Sequence, residues 1–251
     1  MNQIDTWNYW KLILKVNKKT HVIDLGIKSY AEAWAYQKKL FQETIERKVS
    51  NRNNRIFLPT SNYILIVTHP HVYTLGKSGK IEHLLLNHNR LSKLGIEFFK
   101  IDRGGDITYH GPGQLVVYPI LDLENFFTDI NKYLRSLEQS VIDTLTSFNI
   151  HAGRISKLTG VWVGKEKYKP RKICAMGVKA SRWVTMHGLA LNINVDLGFF
   201  RHIVPCGIFG KEVTSMHKEL NNRVNQAKVQ SILINNLADY FDMDLMKKDH
   251  F

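Results

Sequence analysis

The chain has 251 residues and a mass of 29.1 kDa, which is enough for one large domain with a sizeable core. Hydrophobic residues make up 44% and charged residues 23%, so the composition excludes a fibrous or disordered protein. Lys and Arg number 35 against 22 Asp and Glu, which gives a net charge of +13. This charge favours an acidic partner, either nucleic acid, an anionic membrane or an acidic protein.

The cysteines and the apolar segments indicate where the protein works. Cys174 and Cys206 are too few for a disulfide framework and lack the paired spacing of a structural zinc site. Residues 1–16 contain no uninterrupted apolar stretch typical of an export signal, and the longest apolar run, residues 63–67, is too short to span a membrane. We therefore expect a cytoplasmic protein that has no membrane contact, metal or cofactor.

The first half of the chain predicts a strand, a helix and further strands. Residues 22–25 predict a short strand, and Ser29 with Glu32 forms a capping-box pattern that opens a helix to about Arg47. The basic tract 48–55 lacks apolar periodicity, so we predict an exposed loop. The next predicted elements are a strand at 63–68, a helix at 81–94 that Gly95 ends, and strands at 96–101 and 114–121.

The second half predicts one long helix followed by sheet. Apolar residues recur every three or four positions over 130–148, which predicts an amphipathic helix. The predicted strands are 160–163, 172–177 and 183–194, with 165–170 as a hairpin tip, and a last helix covers 224–241. The fold class is therefore α/β (α+β), with mixed central sheets flanked by helices. We expect a single domain over 1–251, with its core at about 20–217 and an N-terminal extension before it.

A glycine-rich segment, residues 103–114 with the sequence RGGDITYHGPGQ, is the first candidate for a binding site. Its glycines allow a tight turn or a close approach to a ligand, and Arg, Asp, Tyr and His are interspersed among them. An ordinary turn between strands is the alternative interpretation. The spacing of a Walker loop is missing, so a phosphate cradle is not expected.

Cys206 is the second candidate, because Pro205 and Gly207 flank it in a pattern suited to presenting a side chain from a turn. A buried thiol that only packs is the alternative. A thiol with a pKa of about 8.5 needs a neighbouring base or cation to react near neutrality. His187, His202 and Lys172 all qualify. Lys172 opens an apolar strand, where a lysine loses its charge readily, but the spacing leaves the choice open.

Five motifs together closely resemble the lipoyl(octanoyl) transferase family. They are RGGDITYHGPGQ at 103–114, GVWV at 160–163, KICAMG at 172–177, HGLALN at 187–192 and VPCGI at 204–208, and they follow the family order over about 20–217. The resemblance implies the catalytic fold of biotin and lipoate protein ligases. It also implies transfer of an octanoyl group from acyl carrier protein to a lysine of a lipoyl domain, in 2-oxoacid dehydrogenase complexes or the glycine cleavage H protein.

The resemblance further implies roles for individual residues. Cys206 would carry the octanoyl thioester, and Lys172 would be its acid/base partner. The acyl and substrate contacts would fall on Arg103, Gly104, Gly105, Asp106, Ile107, Thr108, Tyr109, His110, Ala175, Met176, Gly177, Gly188, Leu189 and Ala190. Both protein substrates are expected to be acidic, which would account for the basic charge without nucleic acid, and we expect a monomer.

Cys174 departs from the family, which more often has a small apolar residue at this position. A residue two positions after Lys172 on a regular strand faces the same side, so Cys174 is expected near the site. Its thiol has either a packing or a functional role.

Two other functions are consistent with parts of the sequence. One is an ATP-dependent lipoate-protein ligase on the same fold, which would not need an acyl-enzyme. The other is a basic nucleic-acid-binding protein, whose affinity would fall steeply with salt, although no known binding motif is present.

Overall fold

The computed structural model describes residues 16–164, 169–204 and 212–247. The fold is a mixture of strands and helices, which confirms the predicted α/β class. In chain order the strands are β1 Lys19–Ile27, β2 Asn62–Thr68, β3 Val72–Leu75, β4 Glu97–Lys100, β5 Ile107–His110, β6 Gln114–Ile120, β7 Ala152–Ile155, β8 Leu158–Val163, β9 Arg171–Ser181, β10 Val184–Asn192, β11 Glu212–Val213 and β12 Asp244–Lys247. The α-helices are α1 Tyr30–Asn54, α2 His88–Lys93, α3 Ile130–Thr146, α4 Met216–Leu220 and α5 Gln226–Phe241.

In the described parts of the chain, nine strands form one mixed sheet in the order β12-β1-β2-β6-β10-β9-β8-β7, and β11 adds to β9. Helices α3 and α5 cover one face, where Leu137 and Leu233 pack on Leu189 and Leu191 of β10. Helix α1 covers part of the other face, against Ala190. Since successive strand residues point to opposite faces, β10 contributes to both cores.

A second sheet has three strands in the described residues, in the order β4-β3-β5. Strand β3 pairs with β4 in parallel and with β5 antiparallel. Its own core contains Tyr73, Tyr109 and Phe200. Residues of β5 in the small sheet and of β6, β9 and β10 in the large sheet line one cavity, which is the candidate site.

Helix α1 is longer than predicted. The capping box is present, because the Ser29 hydroxyl accepts from the Glu32 amide at 3.3 Å and the Glu32 carboxylate accepts from the Ser29 amide at 3.2 Å. The predicted loop at 48–55 is wrong, since the helix continues to Asn54. Lys48 forms ion pairs with Asp122 at 2.5 Å and Glu124 at 3.2 Å, so charged partners stabilise a turn that lacks apolar periodicity.

The predicted helix at 81–94 is also wrong as one continuous element. A 3₁₀ turn covers Ile81–His83, and α2 begins separately after Asn87, whose side chain accepts from the Arg90 amide. The Leu85 amide between them donates to the His202 carbonyl at 2.9 Å. Tertiary pairing therefore replaces the helical hydrogen bonds.

The remaining differences are local. The glycine-rich segment is not a loop throughout, because β5 lies within it. Strand β12 was not predicted and pairs with β1. The long helices are confirmed at Ile130–Thr146 and Gln226–Phe241. Most of the predicted hairpin tip, residues 165–168, lies outside the described residues. No helix in the described ranges is both long and apolar enough for a membrane span.

Candidate active site

A cavity of about 310 Å³ lies between the two sheets. Strands β6, β9 and β10 form its floor, and β5 with the glycine-rich segment forms its opposite wall. The predicted contact residues that line it are Arg103, Gly105, Asp106, Ile107, Thr108, His110, Lys172, Ala175, Met176, Gly177, Gly188, Leu189 and Ala190. Thus three motifs separated in sequence meet at one cavity. Gly104 and Tyr109 do not line it, and Cys206 lies outside the described residues.

Lys172 reaches the cavity because β9 is irregular. Val161 pairs with Cys174 but the next residue, Trp162, pairs with Lys172, so Ile173 is an extra residue in a β-bulge. The bulge turns Lys172 to the cavity face, where its residue is 9% exposed. The Lys172 Nζ lies 4.6 Å from the centroid of the Trp162 ring.

Cys174 lies away from the cavity. It is fully buried in the core under α3 and α5, and it is absent from the cavity lining. The expectation that it shares a side with Lys172 is therefore wrong, because the bulge breaks the alternation between them. Burial raises the pKa of its thiol, which keeps it protonated.

Arg103 fixes the glycine-rich segment to its surroundings. Its Nη2 donates to the Thr74 carbonyl at 2.8 Å and to the Thr74 hydroxyl at 3.0 Å, while Nη1 donates to the Gly104 carbonyl at 3.1 Å. The Gly104 amide donates to the Val178 carbonyl at 2.9 Å. Gly177 permits this approach, since a Cβ there would lie 2.7 Å from the Gly104 oxygen. Gly104 therefore attaches the segment to β9.

Tyr109 is a packing residue of the small sheet. Its ring stacks on Phe199 with centroids 5.0 Å apart, and its hydroxyl forms a 2.7 Å hydrogen bond with His71 Nδ1. It alternates along β5 with Thr108 and His110, which line the cavity.

His187, a buried residue that lines the cavity, forms a pair with the half-buried Asp102. His187 Nε2 donates to Asp102 Oδ1 at 2.9 Å, and Lys179 Nζ lies 2.5 Å from Asp102 Oδ2. The hydrogen bond from His187 holds the pKa of the Asp102 carboxyl well below its usual range. Burial lowers the pKa of His187, so its ring is neutral near pH 7. The described residues contain no group of three or more His, Cys, Asp or Glu side chains suited to hold a metal ion.

A chain of buried hydrogen bonds runs under the cavity. His110 Nδ1 donates to Gln114 Oε1 at 2.8 Å, and Gln114 Nε2 donates to Asn192 Oδ1 at 2.9 Å. Asn192 Nδ2 then donates to the Thr214 carbonyl at 2.9 Å. Burial lowers the pKa of His110 to about 3, so it donates from Nδ1 alone.

Two tyrosines, Tyr30 and Tyr118, also line the cavity, and each contacts a buried histidine. The His69 ring accepts from the Tyr118 hydroxyl at 2.8 Å and donates to the Lys28 carbonyl at 2.8 Å. Burial lowers the pKa of His69 to about 4 and raises that of Tyr118. Tyr30 stacks on His110 with centroids 6.0 Å apart.

The predicted set missed several lining residues. Gln114, Asn192 and His187 lie within the quoted motifs, so their polar character beside glycine was an available signal. Trp162 also lies within a quoted motif, at 160–163. For the others only the tertiary fold reveals the placement: Tyr30, Ser78, Val116, Tyr118, Lys157, Leu158, Thr159, Phe200 and Val213.

The chain is described on both sides of residues 205–211, and both flanking segments are fixed. On the N-terminal side the Val204 amide donates to the His83 carbonyl at 2.8 Å. On the C-terminal side Val213 pairs with Lys172 in parallel register. Phe200 and Val213 both line the cavity.

Comparison with known proteins agrees with the motifs. Residues 29–238 match the family described as the lipoyl protein ligase A/B catalytic domain. The octanoyltransferase of Flavobacterium johnsoniae is 57% identical over 92% of this chain and 100% of its own length. That of Christiangramia forsetii is 54% identical over 92% of this chain and 99% of its own.

A solved structure gives the same result for the fold. The bi-partite lipoate protein ligase of Thermoplasma acidophilum superposes with a TM-score of 0.67 at 16% identity, over 92% of this chain and 87% of that one. The predicted ligase-like fold is thereby confirmed. The chain belongs to the family of lipoyl protein ligase A/B catalytic domains and, within it, to the octanoyltransferases.

Proposed function

We propose that this octanoyltransferase takes its octanoyl group from acyl carrier protein and passes it to a lysine of a lipoyl domain through a thioester on Cys206. The observation that carries the proposal is the position of Lys172. Its side chain lies in the cavity, and its strand pairs with the residues that follow the segment containing Cys206. This pairing is what supports the choice of Lys172 as the acid/base group for Cys206.

The described residues on both sides of the segment that contains Cys206 also support the proposal. Val204 is buried and bonded to His83. On the other side of Cys206, Val213 pairs with Lys172 and lines the cavity.

The first half-reaction forms the acyl-enzyme. Lys172 accepts the proton of the Cys206 thiol, and the sulfur attacks the carbonyl carbon of the octanoyl thioester. The new carbon–sulfur bond forms, the bond to the pantetheine sulfur breaks, and the Lys172 ammonium protonates the departing thiolate. Lys172 is left neutral, ready for the second step.

The second half-reaction transfers the octanoyl group to the lipoyl domain. The neutral amine of the target lysine attacks the thioester carbonyl and gives one proton to Lys172. An amide bond forms as the carbon–sulfur bond to Cys206 breaks, and Lys172 returns the proton to the thiolate. The enzyme is restored without ATP, so ping-pong kinetics are expected.

The floor of the cavity suits an unbranched acyl chain. Gly177 pairs with Gly188 and Ala175 with Ala190 across β9 and β10, and all four line the cavity. Small residues at these positions leave room for apolar carbon atoms along the strands. The net charge of +13 favours the encounter with acidic carrier and lipoyl proteins.

The test is an intact-mass spectrum after mixing the enzyme with octanoyl-acyl carrier protein, followed by mapping of the modified peptide. We expect one octanoyl group on Cys206, present in Cys174→Ala and absent in Cys206→Ala. Lys172→Ala should form the adduct more slowly by about 10²-fold or more, because the general acid/base is lost. An adduct on Cys174, or octanoyl transfer that requires ATP, would contradict the proposal; the second outcome would favour the lipoate-ligase alternative.

A further inference from the structure

A buried carboxylate is bonded to β8, the strand that pairs with the strand of Lys172. Glu138 of α3 is 0% exposed, and its Oε1 accepts a hydrogen bond from the Gly160 amide at 3.0 Å. Its other oxygen accepts from Arg135 at 2.6 Å and from Arg154 at 2.8 Å. A buried carboxylate is costly unless it is fully partnered, and here one of its partners is a backbone amide of β8.

Gly160 lies beside the β-bulge that orients Lys172. Its φ is +114°, in the region that favours glycine. A Cβ at this position would lie 2.6 Å from the Cys174 carbonyl oxygen and 3.5 Å from Lys172 Cε. The absence of a side chain therefore lets β8 approach β9 at the bulge, and it also leaves space for the lysine stem.

The bulge decides which face of the sheet receives the lysine. If β9 paired regularly through Ile173, Lys172 would share a face with Cys174, which packs in the core under α3 and α5. With the bulge, Lys172 joins Ala175 and Gly177 on the cavity face. Glu138 binds the amide of Gly160, the residue just before Val161 and Trp162, between which the register with β9 shifts.

We propose that Glu138 is a positioning residue for the transfer reaction: its bond to the Gly160 amide holds the bulge that turns Lys172 into the cavity. Glu138 touches no substrate and acts only through the strand pair. The role in catalysis rests on the proposed function of Lys172, whereas the effect on the placement of Lys172 does not.

Two conservative variants distinguish the effect of the length of the Glu138 side chain from the effect of its charge. Glu138→Gln keeps the length of the side chain and an oxygen for the Gly160 amide but loses the charge. Glu138→Asp keeps the charge for Arg135 and Arg154 but is one methylene shorter, so it cannot satisfy all three partners at once. If the bond to Gly160 matters, kcat follows the order wild type, Gln, Asp. The Asp variant should fall by about 10²-fold, which is typical of a 1 Å misplacement, with little change in KM for the octanoyl donor.

A second experiment measures the chemical reactivity of the Lys172 amine directly and does not depend on enzyme turnover. The three proteins are labelled with trace acetic anhydride, and acetylation of Lys172 is mapped relative to Lys228 of α5. We expect near wild-type labelling of Lys172 in Glu138→Gln and loss of most of it in Glu138→Asp. Equal labelling in both, or an Asp variant that is at least as active as Gln, would overturn the proposal. If instead the labelling order holds while Lys172→Ala remains fully active, the placement is right and the catalytic role of Lys172 is wrong.

Discussion

The Thr214 backbone amide donates a 2.9 Å hydrogen bond to the Lys172 carbonyl. Val213 pairs with Lys172 in the adjoining register, so the segment that follows residues 205–211 is attached to the strand of the candidate acid/base. The Thr214 carbonyl in turn accepts from Asn192 on β10. Two strands of the cavity floor, β9 and β10, are therefore both hydrogen-bonded to Thr214.

We predict that Asn192→Ala destabilises the protein through this connection. The change removes the donor to the Thr214 carbonyl and one of the two acceptors of the Gln114 amide, whose other bond, to the Tyr109 carbonyl at 3.1 Å, remains. Each unsatisfied group costs about 1–3 kcal/mol, so the free energy of unfolding should fall by about 2–4 kcal/mol. Urea unfolding measures this change.

The matched control is Asn235→Ala, at an exposed position of α5. It should change the free energy of unfolding by no more than about 0.5 kcal/mol. If Asn192→Ala unfolds with the same midpoint as the control, the hydrogen bond to Thr214 does not stabilise the fold.

Gly177→Ala should disturb the cavity wall without changing its charge. The added Cβ would lie 2.7 Å from the Gly104 oxygen and 3.0 Å from Arg103 Cδ, so the glycine-rich segment must move away from β9. Overpacking of this kind costs about 1–3 kcal/mol. We expect a lower free energy of unfolding together with a higher KM for the octanoyl donor.

Gly153→Ala on β7 provides the comparison, since a Cβ there meets no atom within 4 Å. Its stability and KM should stay close to those of the wild type. Similar KM values for the two variants would show that the contact between β9 and the glycine-rich segment does not shape the acyl site.

The sequence motifs identify most of the cavity because their residues combine small size with polar character. Arg103, Lys172 and Gly177 all line the cavity, and His187 and Asn192 of the motif at 187–192 line it as well. Tyr30 and Tyr118 could not be found in this way. They are aromatic residues in ordinary amphipathic patterns, and only the packing of α1 and β6 under the small sheet brings them to the cavity.

The predicted orientation of Cys174 was wrong for a specific reason. Alternation along a strand holds only while the pairing is regular, and one extra residue inverts the pattern beyond it. The sequence shows a glycine at 160, beside the bulge, but it does not show that this glycine has a positive φ. Helix α1 extends past its apolar pattern for a similar reason, because the acidic partners of Lys48 come from distant residues.

Acid should destabilise the protein through its buried histidines. An unfolded histidine has a pKa near 6.5, whereas burial lowers that of His69 to about 4 in the fold. Between these values the unfolded chain binds more protons than the native state, so stability is complete above pH 6.5 and is lost as the pH falls towards 4. His69 alone should account for about 2 kcal/mol between pH 7.5 and 5.

The measurement is urea unfolding at both pH values. His69→Gln should be less stable than the wild type at pH 7.5 but should lose less stability on acidification. His88→Gln, at an exposed position, should retain the wild-type pH difference. If His69→Gln loses as much unfolding free energy between pH 7.5 and 5 as the wild type, His69 does not have a lowered pKa in the folded protein.

The two cysteines should differ sharply in reactivity towards iodoacetamide. Cys174 is fully buried and burial raises the pKa of its thiol, so the reactive thiolate is suppressed. We expect one alkyl group per native chain, on Cys206, and two after unfolding in urea. Native Cys206→Ala should therefore resist alkylation, and Cys174→Ala should react as fast as the wild type. Rapid alkylation of native Cys206→Ala would mean that Cys174 is accessible, and the core position of Cys174 opposite Lys172 would then be wrong.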